Sequence, residues 1–196
     1  MPAPLQKGTI LAASQELQED YFARSVILII HHSADDGSMG LVLNRPMGEQ
    51  VQIESSDELL RFAESAQTDT GVSHLFFEGG PVDRSYLFYL HRLSHIIANG
   101  NPVIEDLHWG GDLDAVRAEP EVVAAEDPLL RFYLGYAGWE QGQLEREIAT
   151  GAWILAPGDV GLVLSSSTES MWRDVLYSLG GKYRAMAELP VDPSVN

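Results

Sequence analysis

The 196-residue chain contains no cysteine. That absence excludes a disulfide framework, a thiol nucleophile and any zinc site built on thiolates. Basic residues are also scarce: 12 Lys and Arg stand against 29 Asp and Glu, for a formal net charge of −17. Such a chain repels nucleic-acid phosphates and anionic lipid surfaces at long range. Its few basic residues are scattered, with no run that would make a phosphate-binding patch, so direct nucleic-acid binding is disfavoured. Long apolar runs are missing as well. The longest, residues 26–30, falls far short of the ~20 residues that a membrane-crossing helix requires. The first residues, MPAPLQKGTILAASQ, lack a charged stretch leading into a long apolar one and do not read as a signal peptide. A cytoplasmic location with no membrane partner is therefore expected.

What is present is the composition of a globular protein, with 45% hydrophobic and 21% charged residues. No internal repeat, low-complexity tract or linker divides the chain. A single domain is expected over residues 1–187, followed by a mobile tail over 188–196.

Short apolar runs rich in β-branched residues predict strands near 9–13, 25–31, 39–43, 72–77, 86–90, 130–134 and 152–155. The run at 25–31 is continuously apolar rather than alternating, which predicts a central strand covered on both faces. Helices are marked by their caps. Ser55 with Glu58 forms a capping-box pattern ahead of Leu59, Leu60, Phe62 and Ala63. Ser166 with Glu169 repeats it before a stripe of Met171, Trp172, Val175, Leu176 and Leu179, with Gly180 and Gly181 as a stop. A third helix is expected from near Trp139 to before Gly151, with Leu144 and Ile148 facing the core, and a short fourth over 112–118. The acidic stretch 119–127 reads as an exposed loop. Strands and helices alternate irregularly, without a βαβ rhythm, which predicts an α+β fold.

Polar residues gather at strand ends. Glu78, Gly79, Gly80, Pro81 and Val82 follow an apolar run, so the glycines are either backbone donors to an anion or parts of a tight turn. Arg24 precedes the central strand, and Asn44 and Arg45 end the next one. The arginine forks suit an anionic ligand, or equally an ion pair with Glu78 or another acid. His31, His32 and His91 also end strands, but no spacing of three ligands points to a metal, and structural hydrogen bonding is the first reading. No GxSxG elbow is present, and Ser165, Ser166 and Ser167 sit where a helix start wants hydroxyls.

Residues 134–148 (LGYAGWEQGQLEREI) place glycines beside Tyr136 and Trp139. Such a segment is either a binding wall or a strand-to-helix corner whose aromatic residues fill core. Gln143 and Glu147 share one helical face, so Tyr136, Trp139, Gln143 and Glu147 are its candidate contact residues.

These pieces, in order, are those of a known family. GTILAAS at 8–14, FARSVILIIHH at 22–32, GLVLNRP at 40–46, EGGPV at 78–82, Leu90 with His91, the segment 134–148 and Trp153 together make the chain resemble the YqgE/AlgH family of bacterial proteins. Ser38 and Met39 stand where Gly-Ala is common in that family. The resemblance implies a complex single domain with a branched, partly barrel-like mixed sheet surrounded by helices. It supplies no catalytic residues and no cofactor; members are often labelled transcriptional regulators.

The leading expectation is a non-enzymatic binding or indirect regulatory module, without metal or cofactor. Arg24, His31, Asn44, Arg45, Glu78, Gly79, Gly80, His91 and the four residues of the 134–148 segment would border a polar groove for a peptide, protein partner or small metabolite. The alternative is a small hydrolase or transferase with His31 or His91 as base and Glu78 as its partner. Direct transcriptional regulation, the family label, sits poorly with a charge of −17 and no recognisable helix-turn-helix.

Overall fold

The computed structural model describes residues 3–17, 21–47, 76–112 and 129–188. The helix expected after Ser55, most of the strand at 72–77, all but the first residue of the helix expected over 112–118, the acidic loop expected over 119–127, and the tail after Glu188 lie outside these residues. Among the described residues there are nine strands: β1 (Ile10–Ala13), β2 (Val26–Ser33), β3 (Gly37–Val42), β4 (Phe76–Glu78), β5 (Val82–His91), β6 (Asn101–Ile104), β7 (Leu107–Trp109), β8 (Leu130–Trp139) and β9 (Trp153–Ala156). Four helices accompany them: α1 (Gln143–Ala149), α2 (Val160–Val163), α3 (Met171–Leu179) and α4 (Gly181–Ala187).

The strands form one sheet in the order β6-β7-β5-β8-β3-β2-β1-β9, with β4 branching from β8. β8 is the branch point because it is long enough to be shared. Its C-terminal residues pair antiparallel with β3, its preceding stretch pairs antiparallel with β5, and residues 132–134 also take β4 in parallel. The sheet is therefore branched and mixed. It also curls. A Cβ placed on Gly8, just before β1, would lie 2.3 Å from Cγ2 of Ile104 at the end of β6. The two ends of the strand order thus approach each other, although no hydrogen-bonded ladder closes them among the described residues.

Alternation of side chains sends successive residues of β1 and β2 into two different cores. Ile10, Ala12, Val26, Leu28 and Ile30 join the larger one, while Leu11, Ala13, Ile27 and Ile29 join the smaller. Residues 26–30 are at most 1% exposed, as their unbroken apolar run predicts. The larger core is covered by α2, α3 and α4, the smaller by α1 through Leu144. On α3, Met171, Trp172, Val175 and Leu176 make the buried stripe, each worth about 1.5–3 kcal/mol of transfer free energy.

Several boundaries differ from the expectation. The third helix begins at Gln143, not near Trp139, because residues through Trp139 remain in the β8 ladder with Ser38. The cap of α3 is Ser170, whose hydroxyl bonds Asp174 Oδ2 at 2.7 Å, so the Ser166–Glu169 pattern lies before the helix rather than at its start. Gly180 ends α3 as expected, but α4 follows at once from Gly181. β6, β7 and α2 were not expected at all, since each is no longer than four residues and is held by its neighbours.

Candidate functional site

The hairpin of β2 and β3 ends beside the C-terminal end of β8. Its register shifts between Ile29 and His31, leaving Ile30 unpaired. This bulge buries Ile30 and turns His31 out to solvent. Asp36 closes the turn, and Gly37, the first residue of β3, has φ 93. A Cβ there would fall 2.2 Å from the Trp139 carbonyl oxygen, so only glycine lets the hairpin tip lie directly on β8.

Between tip and strand opens a cleft of about 590 Å³. Tyr136 and Trp139 from β8 and Met39 from β3 give it apolar surface, with Val82 at the start of β5. Polar groups come from His31, Asp36, Ser38, Glu140 and Gln143. Tyr136 is half-buried and held edge-to-face against Phe88 at 5.6 Å, whereas Trp139 is only 6% exposed. Tyr136 therefore offers the larger aromatic surface. The Ser38 hydroxyl is occupied by His32 Nδ1 at 2.8 Å.

Gln143 and Glu147 are tied into the framework. Glu147 Oε2 accepts from Trp139 Nε1 at 2.9 Å and from Trp153 Nε1 at 2.7 Å, while Oε1 accepts from Gln143 Nε2 at 2.8 Å. Gln143 Oε1 in turn accepts from the backbone N–H of Glu140 at 3.0 Å. Gln143 lines the cleft; Glu147 does not. The corner and wall readings of residues 134–148 thus divide by residue, with Glu147 building the corner, Tyr136 lining the cleft and Trp139 doing both.

The remaining expected residues lie elsewhere. Val26, at the start of β2, is some 16 Å of strand from His31, and its N–H donates to Asn44 Oδ1 at 2.9 Å. Asn44 Nδ2 donates to the Arg24 carbonyl at 2.9 Å, latching the two strand ends. The Arg24 guanidinium lies 4.9 Å from the centre of the Trp172 ring. Arg45 covers the Tyr21 ring at 4.2 Å and donates to the Tyr21 carbonyl and to Ser25 Oγ. Glu78 pairs with Arg84 at 3.0 Å and accepts from the Tyr21 hydroxyl, whose pKa is raised by burial first and by Glu78 next. Of the two uses weighed for these groups, each is engaged with protein. None of them lines the cleft.

Gly79 and Gly80 lie against β8. Gly79 N–H donates to Leu134, its carbonyl accepts from Val42, and a Cβ on Gly80 would fall 2.1 Å from the Tyr136 carbonyl carbon. Close backbone packing, rather than an anion nest, accounts for them. His91 is fully buried; its Nδ1 accepts from Leu93 N–H at 3.2 Å, which leaves Nε2 to donate to the Gly110 carbonyl at 3.0 Å. Both ring nitrogens are used, and no hydrogen bond or ion pair joins Glu78 to His31 or His91 among the described residues. The acid-base pair required by the hydrolase alternative is not formed. No group of three or more His, Asp or Glu able to hold a metal occurs among the described residues, and none of their helices is long and apolar enough to cross a membrane.

The cleft residues not among the expected site residues are Asp36, Ser38, Met39, Val82 and Glu140, with Gly37 and Gly138. Asp36-Gly37 between two β-rich runs is a hairpin signal that would have placed the tip beside His31.

Residues 10–184 match the sequence pattern of the AlgH-like family, DUF179. The chain belongs to the AlgH-like family. Among similar sequences are UPF0301 proteins of Chlamydia caviae, 35% identical over 195 residues that cover 99% of this chain and 97% of that one, and of Cytophaga hutchinsonii, 35% identical over 193 residues covering 98% and 100%. The AlgH-like fold is also that of AlgH from Pseudomonas aeruginosa, solved in solution, with a TM-score of 0.67, 25% identity and 97% of each chain covered. A crystal structure of a Corynebacterium diphtheriae protein shares the fold at a TM-score of 0.67 and 23% identity, over 96% of this chain and 95% of that one.

Proposed function

We propose that this AlgH-like protein is a non-enzymatic binding module whose ligand enters the cleft between the β2–β3 tip and β8. The observation that supports this reading is the cleft itself. A fixed aromatic ring, Tyr136, stands beside polar groups from a separate chain segment, the combination that orients a small ligand or one side chain of a peptide. Of the groups weighed for acid-base chemistry, His91 and Glu78 are bound to protein, and His31, which lines the cleft, is not joined to Glu78. A regulatory role would then act through the ligand or partner, consistent with the acidic charge of the chain.

The test is a fragment screen by ligand-observed NMR on the wild type and on Tyr136→Ala. Hits that compete with one another and disappear in the variant are expected. Hits equally retained by Tyr136→Ala would overturn the assignment.

A further inference from the structure

The charge of the cleft narrows its ligand, and the argument rests on the binding role proposed above. Two carboxylates line the cleft, Asp36 and Glu140, and no Lys or Arg does. Acidic residues elsewhere have taken cations: Glu78 pairs with Arg84, and Asp106 with Arg92 at 2.7 Å. The two in the cleft have not. Asp36 uses Oδ2 to accept from Ser33 Oγ at 3.2 Å, which leaves Oδ1 open, and the Glu140 carboxylate has no partner among the described residues. Both side chains are exposed, so solvent and solutes reach each carboxylate.

Tyr136 lines the same cleft, and the face of an aromatic ring attracts a cation electrostatically. The tip and β8 are separate walls pinned together by the close approach of Gly37 to Trp139. The lining of the cleft thus offers a cation a carboxylate on the tip, a second just after β8 and an aromatic side chain. The net charge of −17 adds a long-range field that draws cations towards any such opening and keeps anions away.

We infer that the cleft recognises an organic cation, a primary amine or a guanidinium, through Asp36, Glu140 and Tyr136. The same chemistry is carried by a lysine or arginine side chain of a peptide and by a free small amine. His31 and Gln143 at the rim would contact whatever the cation is attached to.

The experiment is a titration of the ¹⁵N-labelled protein followed by amide shifts. The probes are N-acetyl-arginine amide, putrescine, the neutral N-acetyl-citrulline amide and the anionic N-acetyl-glutamate. Saturable shifts at Gly37, Gly138 and Glu140 are expected with both cations, at an affinity about tenfold above the citrulline probe, the difference made by one charge-assisted contact. The tighter of the two cations tells a peptide side chain from a free amine. In the double variant Asp36→Asn, Glu140→Gln, whose changes are exposed and conserve shape, the preference for cations is expected to vanish. A citrulline or glutamate probe that binds the cleft as tightly as the cations, or a cation preference that survives the double variant, would overturn the inference while leaving the cleft as a site. If no probe of any charge shifts the cleft residues, the binding role falls with it.

Discussion

Glu147 Oε2 accepts the indole N–H of Trp153 at 2.7 Å, joining helix α1 to strand β9. The same oxygen also accepts from Trp139 at 2.9 Å, so one carboxylate ties α1 to two strands of the sheet and fixes the corner at which the cleft begins. Charge-assisted bonds to two nearly covered indoles make this contact structural rather than a docking point.

Glu147→Ala strands both indole N–H groups. It is expected to lower stability by about 2–4 kcal/mol, and Glu147→Gln, which keeps one acceptor oxygen, by about 1 kcal/mol. Urea unfolding followed by tryptophan fluorescence measures both. An alanine variant as stable as the wild type would mean that the indoles find other acceptors.

Arg131 is 2% exposed, and its guanidinium donates to the carbonyls of Val163, Leu164 and Ser165 at 2.9, 2.8 and 2.7 Å. It closes the end of α2 against β8 and lies 4.8 Å over the Phe77 ring. A lysine carries its three donors on a single nitrogen and has no planar fork to reach these carbonyls together. Arg131→Met is expected to cost about 2–4 kcal/mol and Arg131→Lys nearly as much, read from the denaturation midpoint. Full rescue by lysine would contradict a role for the fork.

His91 carries a pH dependence of known sign. Desolvation is the main cause that lowers its pKa from the ordinary 6.5, and His108 nearby adds to it, while the Gly110 carbonyl opposes them. The folded state therefore holds the neutral ring, and the unfolded chain takes up the proton first. Stability from this site is complete above 6.5 and is lost as pH falls from there through the lowered folded value. His91→Gln, whose amide can both donate to Gly110 and accept from Leu93, is expected to remove that loss. The check is the difference in unfolding free energy between wild type and variant across pH 7.5 to 5; an invariant difference would contradict it.

Gly80 has no room for a side chain because Tyr136 backbone atoms occupy the space a Cβ would need, the nearest at 2.1 Å. Gly80→Ala is expected to push β8 away, lowering stability by about 2 kcal/mol or more and shifting the amide signals of Tyr136 and Gly138. An unshifted spectrum would show that the strand can yield.

The central strand was legible because residues 26–30 are apolar at every position, which only burial on both faces explains. β6 and β7 were not: Asn101, Pro102 and His108 carry no strand pattern, and these residues are extended because β5 and each other's backbones supply their ladders. The site was half legible. Strand-end positions mark polar residues near backbone termini, but a hairpin has two ends, and sequence spacing does not say which end meets β8. Arg24, Asn44 and Arg45 are at one end, His31 at the other, and His91 faces inward. Of the cleft lining, Tyr136 was marked by the glycines around an aromatic strand end and Gln143 by the helical face it shares with Glu147; Asp36 and Glu140 were not marked, because an exposed acid carries no signal in a chain so rich in them.

The central claim is that ligands occupy the cleft between the β2–β3 tip and β8. Crystals of the protein soaked with a diverse fragment set test it most directly. The account predicts fragments, amines foremost, seated between Tyr136, Asp36 and Glu140. Fragments gathered reproducibly at another site, with this cleft empty, would contradict it.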